Sequence, residues 1–112
     1  MLNAEQFGDF LENIYDEIAE LNLSQAQQLA LAETIKNHHN FLRKWHIDMK
    51  ANNERIMQKF VSSSLTRDAV EFTREERLSN DRIFAEHSFI MSVYEILDSN
   101  QRKSFNIKIK QK

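Results

Sequence analysis

Apolar residues recur along this chain at intervals of three and four, the spacing of one face of an α-helix. The first such stretch runs from Asn3 to Leu21, where Asn3 can cap the helix and Gln6 sits at the reciprocal position of a capping box. Asn22 and Leu23 then form a corner. Seven residues make up the broad apolar stripe of this first predicted helix: Phe7, Phe10, Leu11, Ile14, Tyr15, Ile18 and Leu21.

A second, longer helix is predicted from Ser24, with Gln27 completing its capping box, to about Val61, just before three consecutive serines. A helix of that length measures roughly 57 Å, too long for a compact globule of this mass. Its apolar seam alternates spacings of four and three, as in a coiled coil: Leu31, Ile35, His38, Leu42, Trp45, Met49, Asn52 and Ile56.

A third helix is predicted to begin after Thr66 and a short fourth one at Asp98, with Gln101 three residues later. The segment 73–81 is almost entirely polar, and we expect it to be exposed or loosely held. The seam of the third helix shows the same spacing and is widened by two further residues: Ile83, His87, Ile90, Tyr94 and Leu97, with Phe84 and Met91 beside them.

These elements predict one all-α domain over residues 1–112, a long antiparallel helical hairpin with short helices folded at each end. The hairpin leaves one side of its seam open, so we expect a homodimer. Within the seam, His38 and Asn52 are expected to be buried or interface polar residues, Asn52 setting the register of the dimer. Trp45 is expected to be a core or dimer anchor.

The amino-acid composition argues against several classes of fold and function. The chain has one glycine, no proline and no cysteine, which argues against sheet folds, disulfide scaffolds, thiol enzymes and glycine-rich phosphate loops. No catalytic triad or paired acid–base arrangement stands out, so we do not expect an enzyme or a small-molecule substrate. No apolar run approaches the roughly 18–20 residues of a membrane span, and the first 22 residues carry no basic side chain, unlike a signal peptide.

Charge is segregated although the net charge is only −2. Residues 1–22 hold six acidic side chains and no basic one, whereas residues 34–61 hold six basic and two acidic ones. We interpret this pattern as an acidic helix folding along a basic one. Nucleic-acid binding is not expected, because the basic residues lack interleaved aromatic side chains and the total charge is negative.

Two segments share one pattern, in which leucine precedes a helix-capping residue and glutamine follows three positions after the cap. They read Leu23-Ser24-Gln25-Ala26-Gln27 and Leu97-Asp98-Ser99-Asn100-Gln101. Together they resemble the Leu-Thr-x-x-Gln motifs of the CpxP/Spy family and its related heavy-metal resistance proteins, over roughly residues 10–108. Ser24 and Asp98 stand where that family usually has threonine, and both cap helices as well as threonine does.

Within that group, the end of the third helix is similar to CnrX-type periplasmic sensors of cobalt and nickel, whose metal site uses a His-x-x-x-Met pair. His87 and Met91 supply it here. Residues four apart share a helix face, so an imidazole nitrogen and a thioether can reach one ion. Such donors suit nickel, cobalt, copper or zinc. As a purely structural alternative, His87 is a hydrogen-bonded core histidine and Met91 fills space.

The resemblance implies three further ligands: Glu12 and Asp16, in place of a His-x-x-x-His pair on the first helix, and Glu33, in place of a glutamate early in the second. Carboxylates in place of imidazoles favour harder and less selective metal binding. The structural alternative for Glu12 and Asp16 is that they are solvated members of an acidic helix.

The resemblance implies a periplasmic metal-sensing domain of a heavy-metal resistance system. It would be anchored to the inner membrane by a segment outside this sequence and signal to a membrane-bound, anti-sigma-type regulatory protein. Its ligand would be a divalent transition metal ion: nickel, cobalt, copper or zinc. One alternative is a Spy-like ATP-independent periplasmic chaperone. Another is a cytoplasmic helical dimerisation module.

Overall fold

The computed structural model describes Ile14, residues 16–18 and residues 20–110, with side chains described as far as Ser104. Within these residues the chain is helical and contains no strand, which confirms the all-α prediction. The helices are α1 (Gln25–Val61), α2 (Val70–Ile96) and α3 (Ser99–Lys110). Ile14 and residues 16–18 belong to a further helical segment. The helix start predicted at Asn3 lies outside the described residues.

The helix α1 begins and ends where the sequence predicts. At its start, the Ser24 hydroxyl accepts the Gln27 N–H at 3.1 Å, and the Gln27 side-chain oxygen accepts the Ser24 N–H at 2.9 Å. At its end, Ser63 adopts a left-handed φ of 60°. The Ser64 N–H then reaches the Lys59 carbonyl at 2.9 Å, a Schellman motif that satisfies the last carbonyls of the helix.

The two long helices lie side by side and run antiparallel, since residues early in α1 meet residues late in α2. Three contacts show this order: His38 stacks on Phe89, Trp45 donates to the Leu78 carbonyl, and Asn52 donates to the Glu71 carbonyl. The predicted seam of α1 is the face turned toward α2. Leu31, His38 and Asn52 are buried there, and the other seam residues are half-buried.

The predicted seam of α2 is correct at Leu97, which is buried in the core, but it is off by about one residue along the rest of the helix. Leu78, Phe89 and Val93 pack against the rest of the molecule, whereas Ile83 and Tyr94 are each 51% exposed. The reason is that α2 carries two apolar stripes roughly 100° apart, and α1 covers only one of them. The packed stripe includes polar residues such as the buried Glu71. The sequence alone therefore does not show that this stripe is the buried face.

The polar segment 73–81 is mostly exposed, as predicted, yet two contacts anchor it. Leu78 is buried and receives a hydrogen bond from Trp45 at its carbonyl. Arg74 donates to the Asn52 side chain at 3.0 Å. This half of α2 is therefore tied to α1 by specific polar bonds.

The hydrophobic core lies at the end of the molecule where α1 begins and α2 ends. Its buried members are Ile14, Ile18, Leu31, Phe89, Val93 and Leu97. The described part of the N-terminal segment therefore packs into this end. The molecule measures 57 × 28 × 18 Å with a Cα radius of gyration of 18.3 Å. A compact domain of this length would have a radius of about 13 Å, so the chain is elongated.

Candidate functional site

The two Leu–cap–x–x–Gln segments meet in space through their glutamines. The Gln27 side-chain amide donates to the Gln101 side-chain oxygen and to the Ile96 carbonyl, both at 2.9 Å. The Gln101 amide in turn donates to the Asn22 carbonyl at 2.8 Å. We call the paired side chains of Gln27 and Gln101 the glutamine clasp. It joins the start of α1 to the corner between α2 and α3.

Each glutamine of the clasp also completes a helix cap. The Gln101 side-chain oxygen accepts the Asp98 N–H at 2.9 Å, while the Asp98 carboxylate accepts the Gln101 N–H at 2.9 Å. The predicted start of the last helix is therefore confirmed. The clasp is built from neutral amides, so it ties elements together and offers no acid, base or nucleophile.

A buried polar cluster joins α1 to α2 near the other end of the molecule. The Asn52 side chain is fully buried and donates to the Glu71 carbonyl at 2.8 Å. Lys59 donates to the Glu71 carboxylate at 2.7 Å, and this hydrogen bond lowers the pKa of Glu71. Asn52 thus sets the register between α1 and α2 of one chain, a role that we expected it to have between two chains.

His38 is buried between α1 and α2 beside an open groove. Its ring stacks on Phe89 with centroids 4.5 Å apart. Burial lowers the pKa of His38, and the nearby Glu86 carboxylate partly opposes this shift. The groove has a volume of about 220 Å³ and is lined by hydroxyl, amide and aromatic side chains around this stack: Thr34, Asn37, Phe41, Ser88 and Ser92.

Trp45 anchors α1 to α2 within one chain. Its indole N–H donates to the Leu78 carbonyl at 2.7 Å, and the Arg82 guanidinium lies 4.7 Å from the centre of its ring. The ring also packs edge-on against His46. These contacts place the only tryptophan of the sequence inside the pair of long helices.

The described members of the predicted metal site lie on three different elements. His87 and Met91 are both exposed and lie one turn apart on α2, while Glu33 is exposed on α1. Asp16 is exposed in the N-terminal segment, and Glu12 lies outside the described residues. Within the described part of the chain, no three His, Cys, Asp or Glu side chains are grouped so that they could hold a metal ion.

The turn between α1 and α2 carries an exposed apolar surface that the sequence pattern did not predict. Four large apolar side chains around it are more than half exposed, and we call them the tip patch: Met57, Phe60, Val61 and Val70. The adjacent pair Phe60-Val61, directly before the serine turn, was the signal available in the sequence. Other large apolar side chains are exposed along the two helices: Leu29, Ile47, Phe72, Ile83, Phe84, Met91 and Tyr94.

No protein-family model, curated protein or solved structure matches this chain. None of the helices in the described residues is both long and apolar enough to cross a membrane.

Proposed function

We propose that this chain is a non-enzymatic helical protein that binds apolar segments of unfolded polypeptides without ATP, as Spy-like periplasmic chaperones do. The two long helices would form a hooked hairpin that works as a homodimer. The observation that carries the proposal is the tip patch, where Phe60 is 74% exposed and Val61 81% exposed. Phe60 and Val61 are adjacent and Met57 lies one helical turn before them, so these three exposed side chains lie close together on α1. Grouped exposed apolar side chains mark interaction sites.

The tip patch sits on an ordered support. The Schellman motif ends α1 beneath it, and the ion pair of Lys59 with buried Glu71 holds the start of α2 against α1. A preformed surface loses little conformational entropy when it binds. Burying a side chain of the size of Phe60 contributes about 1.5–3 kcal/mol, so a few such contacts give the modest affinity that a reversible client requires.

Charge around the tip patch supports the same proposal. The helix α1 carries six basic and three acidic side chains, and α2 carries three basic and six acidic ones. Within the two turns of α1 before Met57, the exposed charged side chains are the basic Lys50 and Arg55 and the acidic Glu54. Basic side chains near an apolar patch attract acidic segments of an unfolded chain at long range, which raises the rate of capture.

The test is suppression of aggregation of a thermally denatured client by the metal-free, ATP-free protein at stoichiometric amounts. We expect the wild type to suppress light scattering and the double variant Phe60→Ser, Val61→Ser to lose most of this activity. The matched control is Leu29→Ser, Ile47→Ser, which removes two exposed apolar side chains elsewhere on α1. Equal suppression by all three proteins, or none by the wild type, would overturn the proposal.

A second candidate function is a metal sensor of a heavy-metal resistance system. One observation favours it: His87 and Met91 are both exposed on one face of α2, where an imidazole nitrogen and a thioether can share an ion. The exposed carboxylates of Asp16 and Glu33 would be further donors. A divalent nickel, cobalt, copper or zinc ion would then shift the N-terminal segment against the long helices and signal to a membrane-bound regulatory protein.

Calorimetric titration with each of the four metals tests this second candidate. We expect binding that His87→Ala and Met91→Ala abolish and that His46→Ala, which removes an exposed histidine on α1, leaves unchanged. Absence of heat for every metal would exclude the sensor. A periplasmic location and a membrane anchor are further parts of these two proposals and are proposed only together with them. A protein that forms dimers but fails both assays would instead be a helical dimerisation module.

A further inference from the structure

An open groove lies between α1 and α2 beside the stacked rings of His38 and Phe89, and we call it the His38 groove. It is lined by residues from two turns of each helix, within 34–41 on α1 and 85–92 on α2. Two turns of helix give it a length of about 10 Å. Its volume is about 220 Å³. Since a cavity of about 150 Å³ admits a benzene molecule, the groove has room for one substituted aromatic ring.

The two ends of the His38 groove differ in polarity. Because α1 and α2 run antiparallel, Thr34 lies opposite Ser92 at one end, and Phe41 lies opposite Ala85 at the other. Two hydroxyls therefore mark the first end, whereas an aromatic ring and a methyl group mark the second. The His38 ring lies between the two ends. A ligand that matches this arrangement carries a polar group on an otherwise apolar ring.

The lining of the groove is neutral. Its remaining polar members are the amide of Asn37 and the hydroxyl of Ser88, both exposed at the rim. None of the described residues that line the groove carries a formal charge at neutral pH. A carboxylate or an ammonium group would lose hydration there without meeting an opposite charge, so the lining favours a neutral ligand.

His38 is the buried polar group of the groove. The residue is 9% exposed, and within the described part of the chain no hydrogen bond engages its ring nitrogens. Neither nitrogen is sealed from solvent, and the accessible part of His38 opens on the groove. Burial lowers the pKa of His38, so the imidazole is neutral at pH 7 and presents one N–H donor and one nitrogen acceptor. A ligand hydroxyl that reaches this ring gives a buried polar group the partner that it lacks.

We infer that the His38 groove binds one neutral phenolic ring, which packs between Phe41 and Ala85 and directs its hydroxyl toward His38. The phenol O–H donates to the imidazole nitrogen, and the ring gains aromatic contact with Phe41. A sugar ring fits less well, because its hydroxyls point to all sides and the apolar end offers them no partner. The groove lies 22 residues before Phe60 on α1, about 33 Å along the helix, so it is separate from the tip patch.

Titration of the isotope-labelled full chain with p-cresol, followed by NMR of the backbone amides, tests the site. We expect shifts concentrated in residues 34–41 and 85–92 that saturate with a Kd of about 1 mM or tighter, in line with the ligand efficiency of small molecules. The amides of the tip patch should not shift. Methyl glucoside, which carries hydroxyls but no aromatic ring, should give no saturable shifts.

A variant that fills the groove tests where p-cresol binds. Ser88→Trp places a large ring at an exposed position of the lining and should weaken p-cresol binding at least about tenfold. The matched control is Ser79→Trp, at another exposed serine of α2 outside the groove, which should bind as the wild type does. Circular dichroism checks that both variants retain the wild-type helix content.

A second variant, His38→Phe, tests the hydrogen bond to the imidazole. It keeps an aromatic ring against Phe89 and removes both ring nitrogens. Toluene has the ring and methyl group of p-cresol without the hydroxyl, so the ratio of the two affinities isolates the contribution of the hydroxyl. We expect the affinity for p-cresol relative to toluene to fall at least about fivefold in His38→Phe.

A phenolic ring can belong to a free small molecule or to a tyrosine side chain of a polypeptide. An unstructured pentapeptide with one central tyrosine distinguishes these sources: an affinity equal to that of p-cresol assigns the groove to polypeptide side chains, and a weaker one, by about tenfold or more, assigns it to free phenols.

Four results would overturn the inference: no saturable shifts with p-cresol, equal binding by Ser88→Trp and Ser79→Trp, an unchanged affinity ratio in His38→Phe, or tighter binding of methyl glucoside than of p-cresol. None of these measurements involves Phe60 or Val61. Failure of the groove and failure of the proposed function are therefore distinguishable.

Discussion

Asn52 and His38 are polar residues in the seam of α1, and the structure gives each a different role. Both polar atoms of the Asn52 side chain are hydrogen-bonded, since its nitrogen donates to the Glu71 carbonyl and its oxygen accepts from Arg74 at 3.0 Å. The ring of His38 stacks on Phe89. The burial of this ring lowers the pKa of His38. The sequence predicted that both would be buried or at an interface, and both are buried within one chain.

Replacing Asn52 by Ala should destabilise the fold by about 1–3 kcal/mol, because the Glu71 carbonyl loses a donor in a buried position and Arg74 loses its acceptor. Urea unfolding at fixed protein concentration measures this. The control is Asn53→Ala at the next, exposed position, which should change stability by less than about 0.5 kcal/mol. Equal losses for the two variants would show that the buried cluster does not contribute.

The pKa of His38 predicts how stability depends on pH. The folded state holds this pKa below its ordinary value of about 6.5, so at high pH His38 is neutral in both folded and unfolded chains. As the pH falls through about 6.5, the unfolded chain takes up a proton that the folded chain resists, and folding stability is lost. The charged groups that act on His38 are Glu86, Arg82 and His39.

Urea midpoints of the wild type and of His38→Phe between pH 8 and pH 5 test this expectation. The variant keeps an aromatic ring against Phe89 and removes the titration, so its midpoint should fall less with decreasing pH. His46→Phe, at an exposed position, should retain the wild-type slope. Glu71 does not interfere, because its lowered pKa makes its contribution fall away only below about pH 4.5. Parallel curves for wild type and His38→Phe would contradict the assignment.

At the scale of elements, the clasp shows how two similar local motifs become one tertiary contact. Each motif caps its own helix with bonds between residues three apart in sequence. The same glutamines then bond across 74 positions of the chain. The sequence could identify both caps because capping is local, whereas the pairing depends on the path of the long helices between them.

A double-mutant cycle on Gln27 and Gln101 should reveal this pairing. Each single change to Ala is expected to cost about 1 kcal/mol, and the double variant should cost less than the sum by at least about 0.5 kcal/mol. The control cycle combines Gln101→Ala with Gln25→Ala, an exposed position in the first turn of α1, and should be additive. Additive costs for Gln27 and Gln101 would mean that the motifs act only as separate caps.

At the scale of the whole molecule, two antiparallel helices form a thin and elongated body with a small hydrophobic core at the end where α1 begins. Such a body cannot cover all of its apolar side chains by itself, which explains the exposed tip patch and the exposed apolar side chains along α2. The arrangement of the helices also decides where the metal ligands suggested by the sequence lie. His87 and Met91 share a helix face as their spacing requires, while Asp16 and Glu33 lie on other elements.

Small-angle X-ray scattering should report this shape. At low protein concentration we expect a radius of gyration near the 18.3 Å of the single chain. A compact globule of equal length would give about 13 Å. A value close to the compact limit would contradict the side-by-side arrangement of α1 and α2 over their full lengths.

The sequence by itself determined the helical class, the bounds of α1, the start of α3, the caps at Ser24 and Asp98 and the buried seam of α1. These features depend on interactions between residues three or four apart, and such interactions can be read along the chain. Tertiary structure alone decided which stripe of α2 packs against α1, which partner Asn52 bonds and that Gln27 meets Gln101. Both stripes of α2 carry large apolar side chains, so only the geometry of the neighbouring helix selects the one that is buried.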